Sequence, residues 1–228
     1  MKTSMLIVAA AAIGLAGCAN DPNRDTKRGA AIGAILGGVA GHQVDGDKGR
    51  YIGAVVGAIA GGAVGNYMDK QRAELERELA AETARKELVI TQIAEDTIKI
   101  GIASDVSFDT GSASLKPGAL TTFAKISEVL QGYDSTVIHV VGHTDTVGSA
   151  QMNQGLSERR AASVYSYVSS QGLPANRMRQ EGRGERELLV RTADGVDEPR
   201  NRRVDIIVKA VVEGREAEAW SPPPYLGS

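Results

Sequence analysis

Between Asp96 and Val212 the spacing of apolar positions changes repeatedly, and the changes mark alternating strands and helices. Thr97-Ile98-Lys99-Ile100-Gly101-Ile102 alternates with period two, the pattern of a strand with one face on a core. Pro117 to Leu130 predicts a helix, with proline in its first turn and Leu120, Phe123, Ile126, Ser127 and Leu130 along one face. Val137 to Val141, apolar except for His139, predicts a buried strand, and Asn153 to Ser170 a second helix ended by Gly172-Leu173-Pro174. A turn at Ala175 to Arg177 leads to a strand near Met178 to Gly182. The last strand, Arg203 to Val211, puts Val204, Ile206, Val208 and Ala210 on one face and mostly polar residues on the other. The order β-α-β-α-β-β over residues 96–212 predicts an α+β domain, a mixed sheet with helices on one face.

Upstream, Asp69 to about Ile93 reads as an amphipathic helix. Leu75, Leu79 and Thr83 are spaced by four with Leu88 beyond, and Glu74, Glu76, Arg77, Glu78, Arg85 and Lys86 surround them. Residues 69–95 are therefore expected to be a helical linker, a spacer of about 25 residues reaching ~37 Å. Downstream, residues 213–228 carry Ser221-Pro222-Pro223-Pro224 and are expected to be a disordered tail.

Residues 28–68 hold a repeat at a 20-residue offset: Ile32 to Gly41 matches Ile52 to Gly61. Glycine recurs every four residues, at 29, 33, 37 and 41 and again at 49, 53, 57, 61 and 65, which lines one ridge of a helix. Such a ridge lets two helix backbones approach closely. His42 to Arg50, with Asp45, Asp47, Lys48 and Arg50, is a polar turn between two arms, Gly29 to Gly41 and Tyr51 to Tyr67. The block resembles the glycine-zipper hairpins of envelope proteins. Each arm falls short of the roughly 20 residues of a full membrane span. Association with the outer membrane is the preferred reading; self-association of Gly/Ala hairpins in the periplasm is the alternative.

The first residues form a secretory signal over 1–17. Lys2 is basic, and Met5 to Ala16 is an apolar run too short for a normal span. Leu15-Ala16-Gly17-Cys18 resembles the lipobox of bacterial lipoprotein precursors, which implies acylation at Cys18 and attachment to outer-membrane lipid through several acyl chains. Cys18 is the single cysteine, so no intramolecular disulfide competes for it. Ala19 rather than Asp leans toward the outer membrane, and residues 18–27 form a polar tether.

Charge narrows the function. With 26 Lys+Arg against 28 Asp+Glu, the chain lacks the basic excess of a nucleic-acid binder. The informative stretch is VVGHTDTVGSAQMNQGLSERRAASV, Val140 to Val164. Within the second predicted helix an arginine, Arg160, interrupts the stripe Leu156, Val164 and Val168. A buried guanidinium needs an anionic partner. Asp145, at the end of the preceding strand, is a candidate partner or neighbour. An Asp and an Arg opening on one cleft suit an amino-acid zwitterion, the Asp taking the ammonium and the Arg fork the carboxylate. On the residues alone, a structural Asp-Arg bridge without ligand is equally open.

Gly142-His143-Thr144-Asp145, Gly148, Asn153, Leu156-Ser157, Arg160-Ala161 and Val164 resemble the OmpA-like family. So do Gly182 to Glu185 and Asn201-Arg202-Arg203-Val204. The resemblance covers roughly the last half of the chain. It implies non-covalent binding of peptidoglycan through the diaminopimelate stem peptide, from a protein lipid-anchored in the outer membrane with this domain in the periplasm. It assigns Asp145 the ammonium and Arg160 the carboxylate. Asn153, as helix cap and contact, Thr144, through its hydroxyl or amide, and Arg202 are further candidates. Asp109, in Phe108-Asp109-Thr110, is expected to touch ligand or to brace its loop. The chain departs from the pattern after Glu185 and at Glu198-Pro199-Arg200. No catalytic constellation is evident: His139 and His143, four apart on a strand, stand roughly 13 Å from each other, no third metal ligand follows at suitable spacing, and no cofactor is implied. A membrane-associated assembly role, carried by the glycine block, is the competing function.

Overall fold

The computed structural model describes residues 57–225; the signal peptide, Cys18, the tether and the glycine repeat up to Val56 lie outside the described residues. In chain order the elements are α1 (Val64–Glu78), α2 (Ala80–Ala84), β1 (Leu88–Ala94), β2 (Thr97–Ala103), α3 (Ser104–Ser107), α4 (Pro117–Gln131), β3 (Thr136–His143), α5 (Ala150–Ser170), β4 (Met178–Gly184), β5 (Arg203–Ala210) and α6 (Glu216–Trp220). The strands form one mixed sheet in the order β1-β2-β5-β3-β4, with β3 and β4 parallel and the other neighbours antiparallel.

Period-two patterning explains the register. Ile98, Ile100 and Ile102 of β2 lie opposite Val208, Ile206 and Val204 of β5, and Ile138 and Val140 of β3 lie opposite the same Val208 and Ile206. These side chains are buried with Phe123, Ile126 and Leu130 of α4 and Ala161, Val164 and Val168 of α5. A one-residue slip would turn the whole apolar row away from the helices, so the pattern fixes the pairing.

The structure adds to or corrects the sequence reading at four points. First, residues 69–95 are not a free helical linker. Val64, Met68, Leu75 and Leu79 are buried in the main core, each stabilising the fold by about 1.5–3 kcal/mol. Tyr67 packs edge-on against Tyr133 at 5.3 Å and accepts a hydrogen bond from the Ser135 amide. Leu88 to Ala94 is then an edge strand, because Leu88 enters the core and pairs opposite Ile102. Second, the face of β5 read as mostly polar is itself buried. Arg203, Asp205 and Ile207 are buried.

Third, the tail up to Tyr225 is ordered and covers that face. Ala219 and Trp220 pack with Val137 and Val211. The His139 Nε2 lies 2.7 Å from the Ala219 carbonyl, so that nitrogen carries the hydrogen. Arg179 stacks over the Trp220 ring at 4.3 Å and Arg183 over the Tyr225 ring at 4.5 Å. Arg183 also donates to the carbonyls of Pro223 and Pro224. Proline carbonyls in an extended segment have no internal partner, which makes them good acceptors. Fourth, α5 starts at Ala150, capped by the Ser149 hydroxyl accepting from the Met152 amide; Asn153 lies inside the helix. Leu156 is half-buried rather than part of the buried stripe, which runs through Asn153, Ser157, Arg160, Ala161, Val164 and Val168.

Candidate binding cleft

The sheet register brings the site together. Ala103 of β2 and His143 of β3 both pair with Arg203 of β5. The residues just after β2, just after β3 and just before β5 therefore meet at one end of the sheet. There Asp105, Thr144, Asp145 and Arg202 line a cleft of about 580 Å³, with Asn153, Leu156, Arg159 and Arg160 from α5 forming another wall. The helix reaches the strand ends because β3 and β4 carry glycine where it crosses. Gly142 and Gly182 pair across the strands. A Cβ on Gly142 would overlap the Ser157 carbonyl, and one on Gly182 the Glu158 amide and the Ser157 hydroxyl.

Arg160 is 3% exposed. Its Nε donates to the Ser112 carbonyl at 2.9 Å and its guanidinium stacks on Phe108 at 5.1 Å. The Nη2 is 3.5 Å from the Asp109 carbonyl, while Nη1 is buried and has no hydrogen-bond partner among the described residues. Burial pushes the Arg160 pKa down, and Asp105 and Asp145 act against that. Arg160 and Asp145 are thus neighbours on one cleft and not a bridge.

Asp145 is buried beside it. One carboxylate oxygen accepts from the Val147 amide at 3.2 Å and the other from Arg202 at 2.7 Å. Arg202 also makes a two-point pair with Asp105 and a contact with Asp197. The hydrogen bonds that Arg202 donates to Asp105, Asp145 and Asp197 outweigh partial burial and hold its pKa above the usual value, the Asp105 bond contributing most. The lining contains three carboxylates, from Asp105, Asp145 and Asp197, and three guanidiniums, from Arg159, Arg160 and Arg202. The ionisable lining is thus balanced in formal charge.

The other expected residues divide. Asn153 is in the cleft, but its amide already donates to Glu185 at 2.6 Å and to the Asp145 carbonyl at 3.3 Å. Thr144 lines the cleft too; its backbone amide is used by the Gly184 carbonyl, and its buried hydroxyl has no partner among the described residues. Asp109 lies outside the cleft lining and braces its loop. Its side chain is 80% exposed and pairs with Lys116 at 3.2 Å, and the cleft is lined by the following Thr110 and Gly111 instead. Sequence reasoning missed Asp105, Asp197 and Arg159. Asp197 has a local signal in retrospect: Glu198 and Arg200 pair with each other across a tight turn, which leaves Asp197 and Arg202 to point elsewhere. His143 faces Asp205 at 3.3 Å on the other side of the sheet; burial lowers its pKa, and no ligand role attaches to it. Among the described residues no cluster of side chains suits a metal ion.

Residues 107–202 match the OmpA family. The chain carries an OmpA family domain. Residues 1–69 match the YMGG-like Gly-zipper, most of it outside the described residues. The OmpA-like region is 36% identical over 111 residues to the probable lipoprotein YiaD of Escherichia coli (strain K12), covering 49% of this chain and 51% of that protein. It is 35% identical over 108 residues to outer membrane protein A of Bordetella avium, covering 47% of this chain and 56% of that one. The chain thus spans about half the length of the curated relatives it matches. Among solved structures, the cell wall anchor of the T6SS from Pseudomonas aeruginosa superposes with a TM-score of 0.54 at 28% identity, covering 61% of this chain and 99% of that one. A MotB-like protein from Desulfovibrio vulgaris gives 0.57 at 21% identity, over 64% and 96% respectively, and shares the fold. No helix among the described residues is long and apolar enough to cross a membrane.

Proposed function

We propose that the OmpA-like domain binds peptidoglycan non-covalently through the diaminopimelate of its stem peptide, and that Cys18 acylation holds the chain on the outer membrane, so that the protein tethers that membrane to the wall. The observation that carries the reading is the unpartnered Nη1 of a buried guanidinium, Arg160, beside the buried carboxylate of Asp145. A buried charged donor without an acceptor is costly unless a ligand supplies one. The distal carbon of diaminopimelate bears both a carboxylate for Arg160 and an ammonium for Asp145. Lysine at the same place has the ammonium and lacks the carboxylate. The glycine repeat supplies self-association or membrane contact near the anchor, and the chain acts by binding alone, with neither nucleic acid nor cofactor involved.

Calorimetric titration of the full-length protein tests the reading. The diaminopimelate stem peptide should bind at least about tenfold tighter than the lysine peptide, the value of one lost charged hydrogen bond. Arg160→Lys, which keeps charge and loses the planar fork, should remove most of that preference. Equal affinity for the two peptides, or full binding by Asp145→Ala and Arg160→Lys, would rule the assignment out.

A further inference from the structure

The three contacts of Arg202 are not equivalent. Its Nε and Nη2 face the two oxygens of Asp105 at 3.2 and 3.0 Å, a two-point grip that fixes the guanidinium plane. Its remaining nitrogen, Nη1, is shared between Asp145 and Asp197. The three acceptors differ in exposure: the side chain of Asp145 is 7% exposed, that of Asp105 58% and that of Asp197 72%. A carboxylate as buried as Asp145 requires a cation at all times. Exposed Asp105 and Asp197 are solvated and require none.

From this asymmetry we infer that Arg202 stands in for the ligand's ammonium at Asp145 in the ligand-free protein, and that Asp197, which already shares its Nη1, is a positioning residue that keeps that nitrogen when the ammonium arrives. The inference rests on the zwitterion reading of the cleft. Ligand entry is then an exchange of one cation for another on Asp145. The Asp105 grip stays in place as the pivot, and Nη1 gives up Asp145 while keeping Asp197. Without Asp197 the displaced N–H would lie beside the incoming ammonium with no anion of its own, and two like charges would meet across one carboxylate. Asp197 lies next to Glu198-Pro199-Arg200, the segment where the chain departs from the OmpA-like pattern, so this acceptor belongs to the chain's own rim.

Two probes separate the exchange from simple contact: a stem peptide with diaminopimelate, and the same peptide with 2-aminopimelate, which keeps the distal carboxylate and has hydrogen in place of the distal amine. The quantity read is the ratio of the two affinities, measured by calorimetry on the full-length protein. Asp197→Asn should lower the preference for the aminated peptide by about tenfold and leave the other peptide's affinity unchanged. Arg202→Gln leaves Asp145 without its internal cation and should raise the preference. Opposite signs for the two substitutions support the exchange. A ratio unmoved by Asp197→Asn, or shifted the same way by both, overturns it while the zwitterion reading stands. Wild-type protein that binds neither peptide removes both.

Discussion

Thr144 and Arg160 each present a buried polar atom with no hydrogen-bond partner among the described residues, and they differ in what substitution would do. Arg160 is also a packing residue: it stacks on Phe108 and holds the loop carbonyls of Ser112 and Asp109, so its removal disturbs the fold as well as the cleft. The Thr144 hydroxyl holds nothing. Thr144→Val keeps the shape and deletes an unsatisfied buried group, a change that is close to neutral or stabilising. If the hydroxyl bonds the ligand, Thr144→Val should leave the melting temperature unchanged or slightly raised while weakening stem-peptide binding by about five- to tenfold. Thermal melts and titrations on the same sample check this, and unchanged affinity would confine the site to the charged groups. At this scale the motif residues were legible because they sit in contiguous strings, Gly142 to Asp145 and Asn201 to Val204. Asp105 was not, because only the pairing of β2 with β5 brings it to Arg202, and Asp197 was masked by the Glu198–Arg200 pair that lies between it and Arg202 in the chain. Asp109 kept two readings open for a related reason: its carbonyl faces Arg160 while its carboxylate points to Lys116, and a sequence does not separate a backbone role from a side-chain role.

At the scale of elements, the cleft depends on how closely α5 lies on β3 and β4. Ser157 is the point of contact: its hydroxyl accepts from the Gly184 amide and donates to the Gln154 carbonyl, and Gly184 holds a positive φ of 53° that favours glycine. Gly142→Ala forces its methyl into the Ser157 backbone, which belongs to a helix and has no rotamer to change. The expected loss is on the order of 3 kcal/mol, the upper part of the overpacking range. Stem-peptide binding should weaken with it, because Asn153 and Arg160 ride on the same helix. Gly118→Ala in α4, where a Cβ meets nothing within 4 Å, should be neutral or slightly stabilising in the same denaturation experiment. Similar losses at both positions would deny the close approach its role. Elements with sustained periodicity were readable, and the two misread ones show why others were not. Leu88-Val89-Ile90 follows a charged helical stretch and has one exposed apolar residue, Val89, so its alternation is masked. Ser149 outcompeted Asn153 as the cap because Gly148, with a φ of 99°, turns the chain one turn earlier.

Across the whole molecule the most consequential difference is that no helical spacer separates the glycine repeat from the OmpA-like domain. The Ile59 amide donates to the Val211 carbonyl at 2.8 Å, and the Glu213 amide donates to the Ile59 carbonyl at 2.9 Å. The end of the repeat is therefore bonded to the chain leaving β5, and the ~37 Å reach expected of a linker helix is folded back onto the domain as α1. Ile59 meets the chain leaving β5, whereas the cleft lies where β5 begins, so the length of the sheet separates the cleft from residue 57. The folding unit is correspondingly larger than residues 96–212. A fragment of that length lacks Val64, Met68, Leu75, Leu79 and Leu88, all buried in the main core, and also lacks the tail that covers Arg183 and His139. Five buried side chains at about 1.5–3 kcal/mol each are comparable with the roughly 5–15 kcal/mol of a whole domain. Residues 57–225 should therefore unfold in urea as one cooperative transition, and residues 96–212 should show none, with poor chemical-shift dispersion and no stem-peptide binding. Equal midpoints for the two fragments would return α1 to the part of a spacer and the tail to that of an appendage, because neither would then contribute to the stability of the sheet that positions Asp145 and Arg202.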